Sequence, residues 1–502
     1  RHGEKVVVYG DYDVDGTTAT SIMYTFLKNF GGDVQYYIPH RFKEGYGISQ
    51  EGVDFAVETS AKLILSVDCG ITAHEEAEYA REHGIDMVIC DHHTVGDTIP
   101  NAYAVLDPKR PDCSYPFDGL SGAGVAFKLI QGILHELGLR AEKAYSYLDL
   151  LAISIASDIV PITGENRILM RDGLKLLNKN PRPGIRALLD VINLKPGGIT
   201  TTQIVFSIGP RINAAGRMGD AKTAVELMIA DSYEDAVGYA HELEGINLKR
   251  RRIDSDTMER AMAMLDENFD PDKYSSLVLH DPDWHLGVIG IVASRLVDKY
   301  CRPTIMLSSV DGQIKGSARS IKGFNIYDAL KECEDLLVQF GGHEYAAGLT
   351  LNEEDLEAFR ERFNQLAIRN LTEDDLIPEL EIDSELDLSH LDARFWKILR
   401  QFEPYGPLNL RPVFVSNGLR VIGNPTIVGN GHLKLRVSQN GSATFDAIGF
   451  NMHEYLPMVR AAKNGSLSMV YVLEENTWNN KTTIQMRLKD IRNDDGSIAI
   501  GE

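Results

Sequence analysis

The stretch "VVVYGDYDVDGTT" (6–18) places Asp11, Asp13 and Asp15 at alternate positions directly after a run of valines. Such a run reads as a buried strand, so three carboxylates crowd its end. Like charges ~4 Å apart repel by about 1 kcal/mol in water and several-fold more where water is scarce. A chain of this kind folds only where something offsets that repulsion. A shared cation is one answer. Local structure is another, since Asp15 could cap a helix beginning near Thr17 and Asp11 and Asp13 could be turn residues.

The pattern around this stretch predicts an α/β architecture. From residue 5 to about 107, short apolar runs ("KVVVYG", "VQYYIP", "KLILSVD", "MVICD", "AYAVLD") alternate with helical segments and lack hairpin signals, as in a parallel sheet covered on both faces. Helical patterns follow, including a stretch from about 230 to 268 with neither proline nor a turn cluster, which predicts a long helix joining two lobes. A second α/β segment is expected over 270–350, with strands at "SSLVLH", "PTIMLSS" and "GQIKGSAR". An acidic helical linker is expected over 351–380, and alternating strands with Gly/Asn turns predict a small β-barrel over 381–502.

A length of 502 residues suggests three or four domains. No run of ~18 apolar residues is present, so no membrane span is expected. The chain begins at Arg1 and enters a strand without a signal-like segment, so further residues are expected upstream. Its five cysteines are odd in number and lack CxxC spacing, which argues against zinc and for reduced thiols in a cytoplasm. The net charge of −22 argues against a protein that coats nucleic acid nonspecifically. A nucleic-acid enzyme is still allowed, because a metal-binding carboxylate cluster adds negative charge and basic groups can gather in one groove.

Acids recur at the ends of three expected strands: Asp11, Asp13 and Asp15, then Asp68 in "LILSVDCG", then Asp91 with His92 and His93 in "MVICDHHT". Asp158 follows the apolar helix "LDLLAISIAS". Open parallel sheets place their functional crevice at the carboxyl ends of the strands, so these groups are expected to converge. Carboxylates with an imidazole suit Mg²⁺ or Mn²⁺, and a pair of such ions would remove the repulsion.

Taken together, "GDYDVDG", "SVDCG", "CDHHT" and "SIASDIVP" resemble the DHH phosphoesterase superfamily. The segments "IGPRINAAGRMGDA", "GSARSIKGFNIYDAL" and "FGGHEYAAGL" follow in the order of one branch, which looks like the RecJ single-stranded-DNA exonucleases. The resemblance implies a DHH catalytic domain (1–175), a helical connector (176–269), a DHH-associated domain (270–350), the acidic linker (351–380) and an OB-fold-like domain (381–502). It makes Asp13, Asp15, Asp68, His92 and Asp158 metal ligands of two Mn²⁺ or Mg²⁺ ions, with Asp11 a further ligand or a supporting group. Related pyrophosphatases carry a metal-binding histidine where this chain has Tyr9, so Asp11 is a candidate to complete that site. His93 is assigned acid/base or phosphate-orienting work.

The implied chemistry is in-line hydrolysis by water, which fits a chain with neither a G-x-S-x-G elbow nor a P-loop. Lys315, Arg319 and Lys322 lie in an acid-free stretch (312–323) whose glycines let backbone amides approach phosphate. Arg211, Asn213 and Arg217, with Ser317, Arg319, Gly342 and His343, are the expected phosphate and DNA contacts, Ser317 and Arg319 lying near a 5′-terminal phosphate. "LKRRR" (248–252) reads as the exposed face of the long helix or as part of a nucleic-acid channel. Aromatics in "FEPYGPLNLRPVF" could stack on bases or fill the barrel core. The expected activity is 5′-to-3′ hydrolysis of single-stranded DNA to 5′-mononucleotides in repair and recombination, by a cytoplasmic monomer. Single-strand-binding protein and a helicase are the expected partners. The rivals are a phosphodiesterase of short oligonucleotides or cyclic dinucleotides, and a non-catalytic DNA-binding scaffold.

Overall fold

The valine run does form a strand, and its neighbours in space are other apolar runs. In the computed structural model, which describes residues 3–462, 465–478 and 481–493, strands β1 (Val6–Tyr9), β2 (Val34–Tyr37), β3 (Leu63–Val67), β4 (Asp86–Cys90) and β5 (Ala104–Leu106) form an all-parallel sheet in the order β2-β1-β3-β4-β5. Val6 of β1 lies opposite Val34 on one side and Leu63 on the other. The connections from β1 leave in opposite directions at the β1/β3 boundary. This is the switch point at which such sheets open a crevice beyond their carboxyl ends. One face of the sheet buries Val7, Tyr9, Ile64 and Ile89 against Val53, Ala56 and Ala77 of the flanking helices.

Helix Val14–Asn29 leaves β1 after a four-residue turn, and its buried Thr17, Thr18, Thr20 and Ser21 satisfy their hydroxyls on carbonyls of the preceding helical turn. Helices Gly122–Glu136 and Leu148–Ser157 pack against it. Nearly all of Leu148–Ser157 is buried, its one acid being Asp149, which receives a two-pronged ion pair from Arg182 at 2.6 and 2.8 Å. The predicted connecting helix spans Tyr233–Asn268, capped by the Ser232 side chain.

A second sheet follows, comprising β6 (Leu277–His280), β7 (Thr304–Val310), β8 (Gln313–Arg319), β9 (Gln339–His343) and β10 (Ala346–Leu351) in the order β6-β7-β8-β10-β9. The β9–β10 hairpin was not expected as strands, because "QFGGHEYAAG" has no apolar alternation. Pairing with β8 supplies the order that propensity does not, and Gly348 sits between Gly341 and Ser317. Helix Leu356–Asn370 buries Phe359 and Phe363 against this sheet.

Arg1–Val160 and Gly164–Pro378 make one compact unit; Pro161–Thr163 and Glu379–Glu502 make the other. In the second unit, β11 (Ser384–Glu385), β12 (Val413–Val421), β13 (Thr426–Val428), β14 (His432–Ser438), β15 (Phe445–Gly449), β16 (Leu467–Trp478) and β17 (Lys481–Asn493) form one mixed sheet. β12 pairs with β16 and also, through Arg420 and Val421, with β14, so the pairings run in a cycle. The aromatics of 402–414 divide: Phe414 is core, whereas Phe402 is exposed. Among the described residues no helix is long and apolar enough to cross a membrane.

Replacing one partner of the Asp149–Arg182 pair strands a buried charge. Arg182→Met is expected to cost about 3–5 kcal/mol in urea-induced unfolding of the first unit, and adding Asp149→Leu to recover most of it.

Candidate metal centre

The acids after β1 are separated by the way the chain enters its helix. The helix begins at Val14, and its N-cap is Asp13, whose Oδ1 accepts from Gly16 N at 3.0 Å. Asp15 therefore does not cap this helix, contrary to one sequence-based alternative, because the helix starts three residues ahead of Thr17. At position 16 a Cβ would lie 2.5 Å from the backbone of Asp11, so only glycine lets the turn fold back on the helix. Asn213 Oδ1 accepts from Val14 N at 3.1 Å and fixes the turn from across the unit.

Asp15, 1% exposed, points into the molecule and accepts from Gly122 N (2.6 Å), Ala123 N (2.9 Å) and Ser154 Oγ (2.7 Å). Two of these donors are the first amides of helix Gly122–Glu136, where the helix dipole favours a negative charge. Asp68 follows β3 with φ +64°, a left-handed conformation that turns its carboxylate toward Asp15. A Cβ at Gly122 would lie 2.3 Å from Asp68 Oδ1, so the small residue is required there as well. Ile159, next to Asp158, also has a positive φ (+59°), which is costly for a β-branched residue and marks strain beside the site.

His92, 5% exposed, gives Nδ1–H to Leu120 O at 2.9 Å. Its Nε2 then carries a lone pair and faces Asp68 Oδ1 at 3.1 Å, Asp158 Oδ2 at 3.6 Å and Asp15 Oδ2 at 3.7 Å. These contacts are ion pairs only if Nε2 is protonated, but burial pushes the His92 pKa down and Nδ1 already holds the ring proton. His92 Nε2, Asp68 Oδ1 and Asp11 Oδ1 are buried atoms without a hydrogen-bond partner. Lone pairs aimed at one another in a dry site need a cation between them. Ligand atoms converge in three groups, Asp15–His92–Asp158, Asp11–Asp13–Asp68 and Asp68–His92–His93. Oxygen-rich groups with one imidazole fit Mn²⁺ or Mg²⁺. Tyr9 is buried with its hydroxyl donating to Gly47 O at 3.1 Å, while Asp11 reaches the cage.

Burial and mutual repulsion raise the carboxyl pKa values of Asp11, Asp68 and Asp158 well above the ordinary range, and that of Asp13 as well. Asp91 behaves oppositely. Burial disfavours its charge, but hydrogen bonds from His93 Nδ1, Ile71 N and His92 N outweigh burial and hold it at about 2. It supports the histidines rather than lining the cage. Burial works against the His93 imidazolium, and the Asp91 carboxylate 2.7 Å away more than compensates, raising its pKa. His93 Nε2 lies 2.9 Å from the Tyr46 hydroxyl at the open side.

Beside the cage is a cleft of about 980 Å³, lined on one wall by Tyr12 and Arg41–Tyr46 and on the other by Arg217, Lys315, Ser317, Arg319 and Gly342. Burial, and then the neighbouring Arg41 and Arg319 charges, lower the Arg217 pKa to about 10. Among the described residues none of Arg41, Arg217 and Arg319 is in an ion pair, so three unpaired guanidiniums face one cleft, whose lining also includes the acids Glu44 and Asp311. Arg211 lies elsewhere, paired with Glu244 at 2.7 Å, and His343 is exposed at the end of β9. Arg41, Tyr46 and Ser154 were not singled out from the sequence. Arg41 and Tyr46 follow β2, so the strand-end rule that found the acids would have found them.

Because these carboxyls have raised pKa values in the folded state, their contribution to stability is complete below the unfolded carboxylate pKa and is lost as pH rises through the folded values. Mn²⁺ binds the ionised cage. The rise in Tm on replacing chelator with Mn²⁺ should therefore be larger at pH 8 than at pH 5.5, corresponding to a stabilisation of about 2.7 kcal/mol at 100 Kd of metal. Ser154→Ala should weaken the metal ~10–100-fold, read as a shift of that titration.

Family models match in the order DHH family, N-terminal domain (residues 5–155), DHHA1 domain (273–369) and RecJ OB domain (382–490). The single-stranded-DNA-specific exonuclease RecJ of Bacillus subtilis is 38% identical over 97% of this chain, which spans 61% of that protein. The RecJ of Salmonella typhimurium is 34% identical over 98% of the chain, which spans 88% of its length. The crystal structure of Thermus thermophilus RecJ in complex with Mn²⁺ superimposes with a TM-score of 0.83 at 31% identity, over 98% of this chain and 69% of that one. The similarity thus runs along nearly the whole sequence through all three domains, and the chain belongs to the RecJ family of single-stranded-DNA-specific exonucleases.

Proposed function

We propose that the chain hydrolyses single-stranded DNA from its 5′ end, releasing 5′-mononucleotides, in DNA repair and recombination. The observation that carries this reading is the placement of a buried ligand cage beside a cleft lined by three arginines without ion pairs, within one compact unit. Two divalent cations, Mn²⁺ or Mg²⁺, held by Asp11, Asp13, Asp15, Asp68, His92 and Asp158 would lower the pKa of the attacking water and stabilise charge developing on the phosphoryl oxygens.

The protein's own groups do the rest. The amides of Gly122 and Ala123 and the Ser154 hydroxyl hold Asp15 in one orientation, and Leu120 O holds the His92 ring. Asp13 lies at the solvent side of the cage and is part of the catalytic set. His93, kept protonated at Nδ1 by Asp91, orients the phosphate and supplies a proton toward the leaving oxygen. Arg217, Ser317 and Arg319, joined by Arg41, take the 5′-terminal phosphate, Arg319 Nη1 already donating to Ser317 Oγ at 3.0 Å. Gly342 lines the same wall, with exposed His343 next to it in sequence, and Asn213 acts through the Val14 amide. Residues 1–175 are the catalytic domain, 176–269 the connector, 270–350 the associated domain, 351–380 a linker, and 381–502 the strand-binding domain. The protein works as a cytoplasmic monomer with single-strand-binding protein and a helicase as partners.

The test offers Mn²⁺ and labelled single-stranded DNA beside a cyclic dinucleotide. Wild type should degrade the DNA from the 5′ end, Asp13→Ala should lose at least ~100-fold in rate, and Arg319→Ala should lose its preference for a 5′-phosphate. Hydrolysis of the cyclic dinucleotide alone, or unimpaired DNA cleavage by Asp13→Ala, would overturn the assignment.

A further inference from the structure

A second cationic cavity lies where three helices of the first unit meet. It occupies about 530 Å³ and is lined by Arg211, Arg250, Arg251 and Arg295, by Asp254 and Glu259, and by Phe206. The helix Gly209–Met218 packs against both the long helix and helix Leu286–Tyr300, and carries Arg211 toward this cavity and Arg217 toward the metal-side cleft. Of "LKRRR" (248–252), Leu248, Lys249, Arg251 and Arg252 are exposed on the long helix, as one sequence-based alternative expected, and only Arg250 turns inward. Arg250 is only 8% exposed, donating to Asn247 Oδ1 at 2.7 Å and Asp254 Oδ2 at 3.3 Å, because the two neighbouring helices cover that side of the connecting helix.

Asp254 is shared between Arg250 and a two-pronged Arg295 contact at 2.9 Å, so one carboxylate serves two guanidiniums. Arg251 is exposed and has no ion pair among the described residues. With Arg211 neutralised by Glu244, Arg250, Arg251 and Arg295 face Asp254 and Glu259, which leaves one positive charge in surplus in a chain of net charge −22. Phe206 stands on a π-helical turn (Ile204–Ile208) and is 74% exposed at the rim. Such turns inside helices recur at functional sites, and an exposed phenyl ring beside guanidiniums suits a nucleobase next to its phosphate.

We infer that the three-helix cavity is a second strand-binding site, in which Arg251, Arg250 and Arg295 hold internucleotide phosphates and Phe206 stacks on a base. This rests on the exonuclease reading and adds where a strand longer than the cleft is gripped. Mononucleotides and dinucleotides do not reach it, so it selects for length and acts on binding.

The test measures binding of (dT)20 to the Asp13→Ala full chain across a salt series, with Phe206→Ala and Arg251→Ala added singly. Arg251→Ala should reduce the slope of log K against log salt by about 0.7, and Phe206→Ala should weaken binding ~10-fold at fixed salt. In the otherwise wild-type chain with Mn²⁺, each substitution should lower the ratio of kcat/KM for (dT)20 to that for a 5′-phosphorylated dinucleotide. An unchanged slope, affinity and ratio would overturn the site. So would a loss confined to binding of an Asp/Glu-rich peptide, which would assign the cavity to a protein partner. Failure of the wild-type chain to hydrolyse single-stranded DNA would overturn the exonuclease reading instead, and the binding measurements would still report on the cavity.

Discussion

The mutual repulsion of carboxylates gathered in one dry volume governs the first unit. Asp11, Asp13, Asp68 and Asp158 cannot all be ionised side by side without compensation, and the fold compensates only part of the cluster. Asp15 is held by two helix-start amides and a serine hydroxyl, and Asp13 caps its own helix. Asp11, Asp68 and His92 keep atoms with no protein partner. Those free lone pairs are where divalent cations belong, and the strained backbone at Asp68 and Ile159 is the cost of aiming ligands inward.

The same volume explains the distribution of positive charge. A chain with 73 acids and 51 basic residues has little overall attraction for DNA. Clustering makes up for the total. Arg41, Arg217 and Arg319 face one cleft, contributed by a loop after β2, a helix and β8. Separating cage from cleft lets the acids bind cations and the arginines bind phosphate without neutralising each other.

The acids at strand ends were legible in the sequence, because a parallel sheet of the form β-α-β obliges successive strand ends to meet. The helices and most strands were legible for a similar reason, since their apolar period survives without knowledge of partners. The β9–β10 hairpin was not, because its glycines carry no periodicity and its order comes from pairing with β8. Arg211 and Arg217 look alike in "PRINAAGRM", yet six residues along a helix carry them to different surroundings, one to Glu244 and one to the cleft. Asp91 was expected only to converge with the other strand-end acids. Its low pKa and its three hydrogen bonds place it as a support for the histidines.

From residue order alone follow the fold class, the convergence of Asp13, Asp15, Asp68, His92 and Asp158, and the chemistry that such a ligand set serves. These depend on local periodicity and on the direction of parallel strands, which are properties of the chain read along its length. Packing supplies the remainder: which nitrogen of His92 is left free, which acid is a cap, and which arginines stay unpaired. Each depends on a contact between residues far apart in sequence, such as Leu120 with His92, Ser154 with Asp15, and Asp254 with Arg295. Hydrogen-bond partners and burial are set by three-dimensional neighbours, and no spacing along the chain encodes them.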